Sequence, residues 1–362
     1  MDPGSGKHQF LGGVIIAVLV VVGLMFDSVG TDLSGRASGH NASSGCGGGS
    51  VGNTPAICRV DDECGEGEAC VENACREETE VEEPSYEKDC LSGQETRVVS
   101  NPAGDSGAEL SYRWEEDEGT MTSGERETTE NLLNGVYGIF QSEFNYEVIE
   151  EPLTFRVFSD PTRWARCMEA LDKPAGAGPF FTRKRDRVFF LRTDEAWDFT
   201  LRILIHEGTH FIFSREIFSG GIHFNEGAAV FASTIEASSD EEGAYTVSPH
   251  NARYERLLTT MREEGSLMGL GEFLSLSHQE WQESNPLGYT QSYSLVYFLM
   301  ENDRPLARAM MENLKRAPRV RQTHREVIEA NYAPGTAEPF VQFEEDWNTW
   351  LEEEHRSLTF GP

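Results

Sequence analysis

From Ile203 to Ser214 the chain reads ILIHEGTHFIFS, an apolar run holding two histidines and a glutamate. This segment leaves the fold little freedom. Ile203, Leu204, Ile205, Phe211, Ile212 and Phe213 surround the polar residues on nearly every side of a helix, which places that helix inside the protein. Buried ionisable groups need a partner or a metal. Glu195 and Asp198 suit the positive end of such a helix, and Thr193 or Asp194 is predicted to cap it. With 3.6 residues per turn, His206 and His210 fall one turn apart on one face and can reach a single ion, with Glu207 beside them. This is the H-E-x-x-H arrangement, in which imidazoles bind zinc and the glutamate acts on water at the metal.

A catalytic zinc takes a third protein ligand and keeps one position open. Downstream lies HFNEGAAVFASTIEA, His223–Ala237, with Glu226 opening a helix-forming stretch. Stepping by turns from Glu226 meets Ala229 or Val230, then Ser233 and Ala237, a stripe of mostly small residues that permits close helix packing. Gly208 is the matching gap on the first helix, so the two helices are predicted to meet there and bring Glu226 to the histidines. His223 is the rival ligand, nearer in sequence but placed before the helix. A third segment, YTQSYSLVYFL (Tyr289–Leu299), reads as an amphipathic helix with Leu295, Val296, Phe298 and Leu299 inward. Tyr289 and Tyr293 lie a turn apart, and either hydroxyl can stabilise the oxyanion of a tetrahedral intermediate.

The rest of the 362-residue chain divides by composition. Leu11–Phe26 is an uncharged apolar run behind Lys7, an export signal or a retained membrane anchor within residues 1–30. Residues 31–53 are a Gly/Ser-rich tether. Residues 54–76 hold Cys58, Cys64, Cys70 and Cys75 among acidic residues and glycine, a spacing that favours disulfides over zinc in an exported chain. Cys46, Cys90 and Cys167 are left over, with Cys167 expected to be buried rather than reactive. Residues 77–108 read as an acidic linker, and ordered structure is expected to run from 109 to 362.

Within that last stretch, Glu130–Phe144 puts Leu132, Val136, Ile139 and Phe140 on one helical face. Leu153–Ser159 alternates like a half-buried strand. Asp160 and Pro161 mark a helix start, and Gly178–Leu191 reads as a hairpin with a basic turn. Helices are expected from Asp194 onward. The fold class is therefore α+β, a small mixed or antiparallel sheet followed by a mainly helical subdomain carrying the site.

Taken in order, HEGTH, NEGAAVF and YTQSYSLVYFL resemble the gluzincin metallopeptidases, in particular the short bacterial peptidase-MA-like domains. The resemblance covers roughly Glu109 to Leu351. It implies a zincin-like subdomain with one catalytic Zn2+ on His206, His210 and Glu226, and Glu207 as general base. Tyr289 best matches the tyrosine that opens the Y-x-K-G segment of related aminopeptidases. The G-x-M-E-N motif that grips a free amine in those enzymes is missing, which points away from exopeptidase activity. The cysteine block resembles small modules of exported bacterial surface proteins, implying that Cys58 pairs with Cys70 and Cys64 with Cys75.

The activity expected is hydrolysis of peptide bonds in a peptide or protein substrate outside the cytoplasm. With 62 acidic against 30 basic residues and a net charge of -32, the chain is a poor partner for nucleic acid or anionic lipid, and it meets membrane only through its N-terminal segment. The alternative is a surface protein that holds zinc without catalysis and acts as a binding scaffold. The sequence leaves the oligomeric state open.

Overall fold

The computed structural model describes residues 109–360 apart from 175, 218–220, 239–243, 249–258, 260–266, 285–286, 317–319 and 354–356, together with Cys90 and three earlier strands. The expected signal or anchor, the tether, and Cys46, Cys58 and Cys64 lie outside the described residues. Two of the early strands, β1 (Glu68–Val71) and β2 (Ala74–Glu77), form an antiparallel hairpin with Cys70 opposite Cys75. Among the described residues no helix is long and apolar enough to cross a membrane.

The domain is α+β. Its main sheet has five strands in the order β3-β4-β5-β7-β6, formed by β3 (Glu95–Val99), β4 (Tyr112–Glu116), β5 (Leu153–Phe158), β6 (Phe180–Thr182) and β7 (Arg187–Leu191). β4, β5 and β7 run parallel, while β3 and β6 are antiparallel edges. The sheet thus begins inside the segment expected to be linker. β3 and Cys90 join the domain because β4 presents an edge to pair and because Cys90 is bonded to Cys167. Neither cysteine is left over. Cys167 is buried, as expected.

Helix α1 (Ser123–Phe144) crosses between the parallel strands β4 and β5. It starts at a capping box of Thr122 and Glu125 and stops at Asn145, whose φ of 52° is left-handed. Helix α2 (Pro161–Ala170) begins as predicted, with the Asp160 side chain accepting from the Thr162 amide and proline at the first position.

The two faces of the sheet serve different layers. Phe155, Val157, Val188 and Phe190 join the main core with α1, whereas Phe158, Phe180 and Phe189 pack with Trp164, Cys167 and Cys90 on the α2 side. This double covering corrects the half-buried reading of Leu153–Ser159, because all six strand residues are buried. Arg156 is among them. Its guanidinium donates to the carbonyls of Cys90 (2.8 Å) and Val157 (2.6 Å) and to Asp117 Oδ1 (3.0 Å). A buried charge with this many partners is the arrangement that offsets its desolvation.

After the β6–β7 hairpin come helices α3 (Trp197–Ser214) and α4 (Ile222–Ala232). A three-stranded antiparallel sheet that the sequence did not signal follows, in the order β10-β9-β8, from β8 (Ile235–Ala237), β9 (Tyr245–Val247) and the C-terminal β10 (Leu358–Phe360). Between these strands run α5 (Leu270–Ser275), α6 (His278–Glu283), α7 (Leu287–Asn302), α8 (Arg304–Leu314), α9 (His324–Asn331) and α10 (Pro339–Glu352). α7 is the central rod, buried at every position from Gly288 to Met300. It is therefore not amphipathic: α4 covers one side, and α8 and α10 cover others.

Candidate metal centre

α3 carries His206 and His210. It begins at Ala196, with no side-chain cap, so neither Thr193 nor Asp194 has the expected role. Thr200 and every residue from Ile203 to Phe213 are buried, and the trio faces inward with its apolar neighbours filling the remaining sides. The Nε2 atoms of His206 and His210 lie 3.2 Å apart. Glu226 Oε2, from the first turns of α4, lies 3.4 Å from His206 Nε2 and 3.6 Å from His210 Nε2. His206 is 1% exposed, His210 4% and Glu226 1%.

The way α4 reaches this place differs from the expectation. Gly208 does not receive α4. A Cβ there would lie 2.7 and 2.9 Å from the side-chain methyls of Leu133, so Gly208 is the gap that admits α1. The close approach that fixes α4 belongs to Gly227, where a Cβ would lie 2.4 Å from the backbone oxygen of Ser292 on α7. Glu226 is thus carried by a helix wedged between α3 and α7. His223 is directed elsewhere. Its ring meets Phe273 of α5 edge-on at 4.6 Å and His324 of α9 at 6.1 Å, and it is not part of the ligand group.

The three donors fit a divalent ion. Tetrahedral zinc with bonds near 2.0–2.1 Å has ligand–ligand edges of about 3.3–3.4 Å, and the donor separations here are 3.2, 3.4 and 3.6 Å. Among the described residues this is the one group of three or more histidine, cysteine and acidic side chains that could hold a metal. Asn225, next to Glu226, adds a contact whose role the sequence did not reveal: its amide oxygen lies 3.0 Å from His210 Nδ1. With that oxygen accepting, Nδ1 carries the proton and Nε2 keeps its lone pair for a metal. Burial lowers the pKa of His210, Glu226 opposes the shift and His206 adds to it.

Glu207 is 1% exposed, and its Oε2 accepts from the Phe181 amide of β6 at 2.9 Å. Burial, then the nearby Glu226 carboxylate, raises its pKa well above the usual carboxylate range, against the pull of the Phe181 amide. The two tyrosines differ. The Tyr289 ring lies 6.4 Å from that of His206 and is backed edge-on by Trp281 at 4.5 Å. The Tyr293 hydroxyl donates to the Ser248 carbonyl at 3.1 Å. The structure thus gathers His206, His210, Glu226, Glu207 and Tyr289, and it ties Tyr293 to the loop after β9. No family model matches the chain, and no curated protein does.

Proposed function

We propose that this chain is an exported, zinc-dependent peptidase of gluzincin type that cuts within peptide or protein chains. The observation that carries the reading is the triangle of donor atoms on His206, His210 and Glu226, sized for a tetrahedral ion, with a buried glutamate beside it. An ion held by these three residues would supply a Lewis acid that acidifies water and polarises a carbonyl.

The chain's own groups do the rest. His206 and His210 offer imidazole lone pairs, and Asn225 keeps the second ring in the tautomer that does so. Glu207 accepts a proton at its carboxylate from the attacking water and delivers it to the leaving nitrogen. Tyr289, whose ring lies beside that of His206 and against Trp281, is the tyrosine we assign to donate to the carbonyl oxygen as charge builds there.

The Cys90–Cys167 disulfide and the apolar N-terminal run support export, since such bonds persist in oxidising compartments. The net charge of -32 favours neutral or basic substrates and disfavours nucleic acid. The test is metal analysis of the purified protein together with cleavage of a mixed peptide library, with and without a chelator. Chelator-sensitive cleavage is expected, and Glu207→Gln should retain zinc while losing turnover. A zinc-loaded Glu207→Gln protein with wild-type turnover refutes the assignment. A zinc-loaded wild type that cleaves nothing favours the scaffold reading instead.

A further inference from the structure

β6 is the outer strand of the five-stranded sheet, paired to β7 on one side only. In an antiparallel pair, residues alternate between those whose amide and carbonyl face the neighbouring strand and those whose groups face away. Phe181 lies opposite Val188, and its N–H goes to Glu207 Oε2. Phe181 is therefore at an outward-facing position. Its amide contributes nothing to the β6–β7 ladder and is spent on one carboxylate of α3. Both faces of the strand are packed: the Phe181 ring meets Phe211 of α3 edge-on at 6.1 Å, and Phe180 stacks on Phe189 at 5.2 Å on the other face.

Glu207 has three single-bond torsions between its backbone and its carboxylate oxygens, and a general base works only when its oxygen is placed to within about half an ångström. One hydrogen bond from a rigid strand removes that freedom. It fixes Oε2 and leaves the second oxygen to exchange protons with water and the leaving nitrogen. We propose that Phe181 is a positioning residue for Glu207, acting through its backbone N–H, and that the edge of the sheet sets the aim of the base. This rests on the peptidase reading above, and it adds a dependence that side-chain chemistry alone does not contain: the base is supported by a different layer of the fold from the one that carries it.

Proline at 181 is the direct test, because it removes this N–H while an edge strand tolerates it where the amide is not in the ladder. Phe181→Ala is the paired control, losing the ring and keeping the N–H. Against the zinc-loaded wild type, Phe181→Pro is expected to lower kcat roughly 10- to 100-fold with KM changed less than about threefold. Phe181→Ala is expected to keep kcat within about threefold. Equal kcat in the two variants overturns the proposal.

A second arm needs no turnover and no metal. In metal-free protein the Phe181 amide should be protected from hydrogen exchange. That protection should fall at least tenfold in Glu207→Ala and be retained in Glu207→Gln, whose side-chain oxygen still accepts. Unchanged protection in Glu207→Ala overturns the proposal even if Phe181→Pro fails to fold. A wild type that cleaves no peptide while both exchange results hold refutes the peptidase reading and leaves the Phe181–Glu207 contact as architecture.

Discussion

Gly227 offers a sharp test of how Glu226, the proposed third ligand, is positioned. A Cβ at this position would lie 2.4 Å from the Ser292 backbone oxygen and 2.8 Å from both the Ser292 carbonyl carbon and a Val296 methyl. Ordinary contact begins at 3.4 Å, so the two backbones must part by roughly 1 Å, the difference between these distances. Neither partner is a flexible chain end that can swing away. Glu226 is the adjacent residue on the same helix and moves with it.

Gly227→Ala should therefore cost about 1–3 kcal/mol of stability from overpacking. It should also weaken zinc binding about 10- to 100-fold, the range typical when a ligand's support is disturbed. The assay is a competition titration of metal-stripped protein against a chromophoric chelator, with thermal melts on the same samples. Two glycines calibrate the result. Gly208→Ala meets first the side-chain end of Leu133 and should lose about 1 kcal/mol with nearly unchanged zinc affinity. Gly138→Ala, exposed on α1 with nothing within 4 Å, should gain about 0.5–1 kcal/mol. Wild-type zinc affinity and stability in Gly227→Ala would refute the claim that α7 sets the position of Glu226.

Other outcomes follow from separate parts of the molecule. Removing the Cys90–Cys167 bond, which spans 77 residues, should lower stability by about 4.5 kcal/mol on the chain-entropy estimate, read from denaturant melts of the double alanine variant. Tyr289→Phe should lower kcat more than it changes KM, whereas Tyr293→Phe should cost about 1 kcal/mol in a melt and leave kcat near wild type; the reverse pattern would exchange their roles.

His223 and His324 should confer acid sensitivity. Burial, then the neighbouring His324, pulls His223 from 6.5 to about 3; burial, then Arg321, pulls His324 to about 4. Both pKa values are depressed in the folded state, so stability is full above pH 6.5 and falls as the unfolded chain takes up protons that the folded one refuses. The pair should cost roughly 4 kcal/mol between pH 7 and pH 5. Melts of His223→Leu over that interval should show about half the slope, and an unchanged slope would exclude His223 as a source.

The parts of this fold that were legible in the sequence are those decided within a few turns of chain. The spacing of His206 and His210, the cap at Asp160 and the β6–β7 hairpin depend on neighbours, and they stand where local chemistry put them. What was not legible depends on partners far along the chain. The helix at Tyr289–Leu299 looked amphipathic because its serines and tyrosines are polar, yet it is buried from Gly288 to Met300 with α4, α8 and α10 packed around it. Arg156 looked like the outward residue of a half-buried strand until Asp117 and the Cys90 carbonyl came within its reach. Gly208 was paired with the wrong helix for a similar reason, since a gap in one surface does not name the surface that fills it. The Phe181 amide carried no signal, because every residue but proline has one.

The bond between Cys90 and Cys167 has a mechanical meaning for any load that reaches the domain through the N-terminal stretch of the chain. A load applied through that N-terminal stretch enters at Cys90 and passes by the sulfur bridge to α2 and by the Arg156 guanidinium to β5. The bridge and α2 pack on the face of the five-stranded sheet opposite the main core that includes α3, and β5 is the middle strand of that sheet. The load is thus met first by α2 and the parallel strands, and α3 joins the sheet only beyond them, at β6 and β7. A domain fastened in this manner meets such a load on the side of the sheet away from His206, His210 and Glu226.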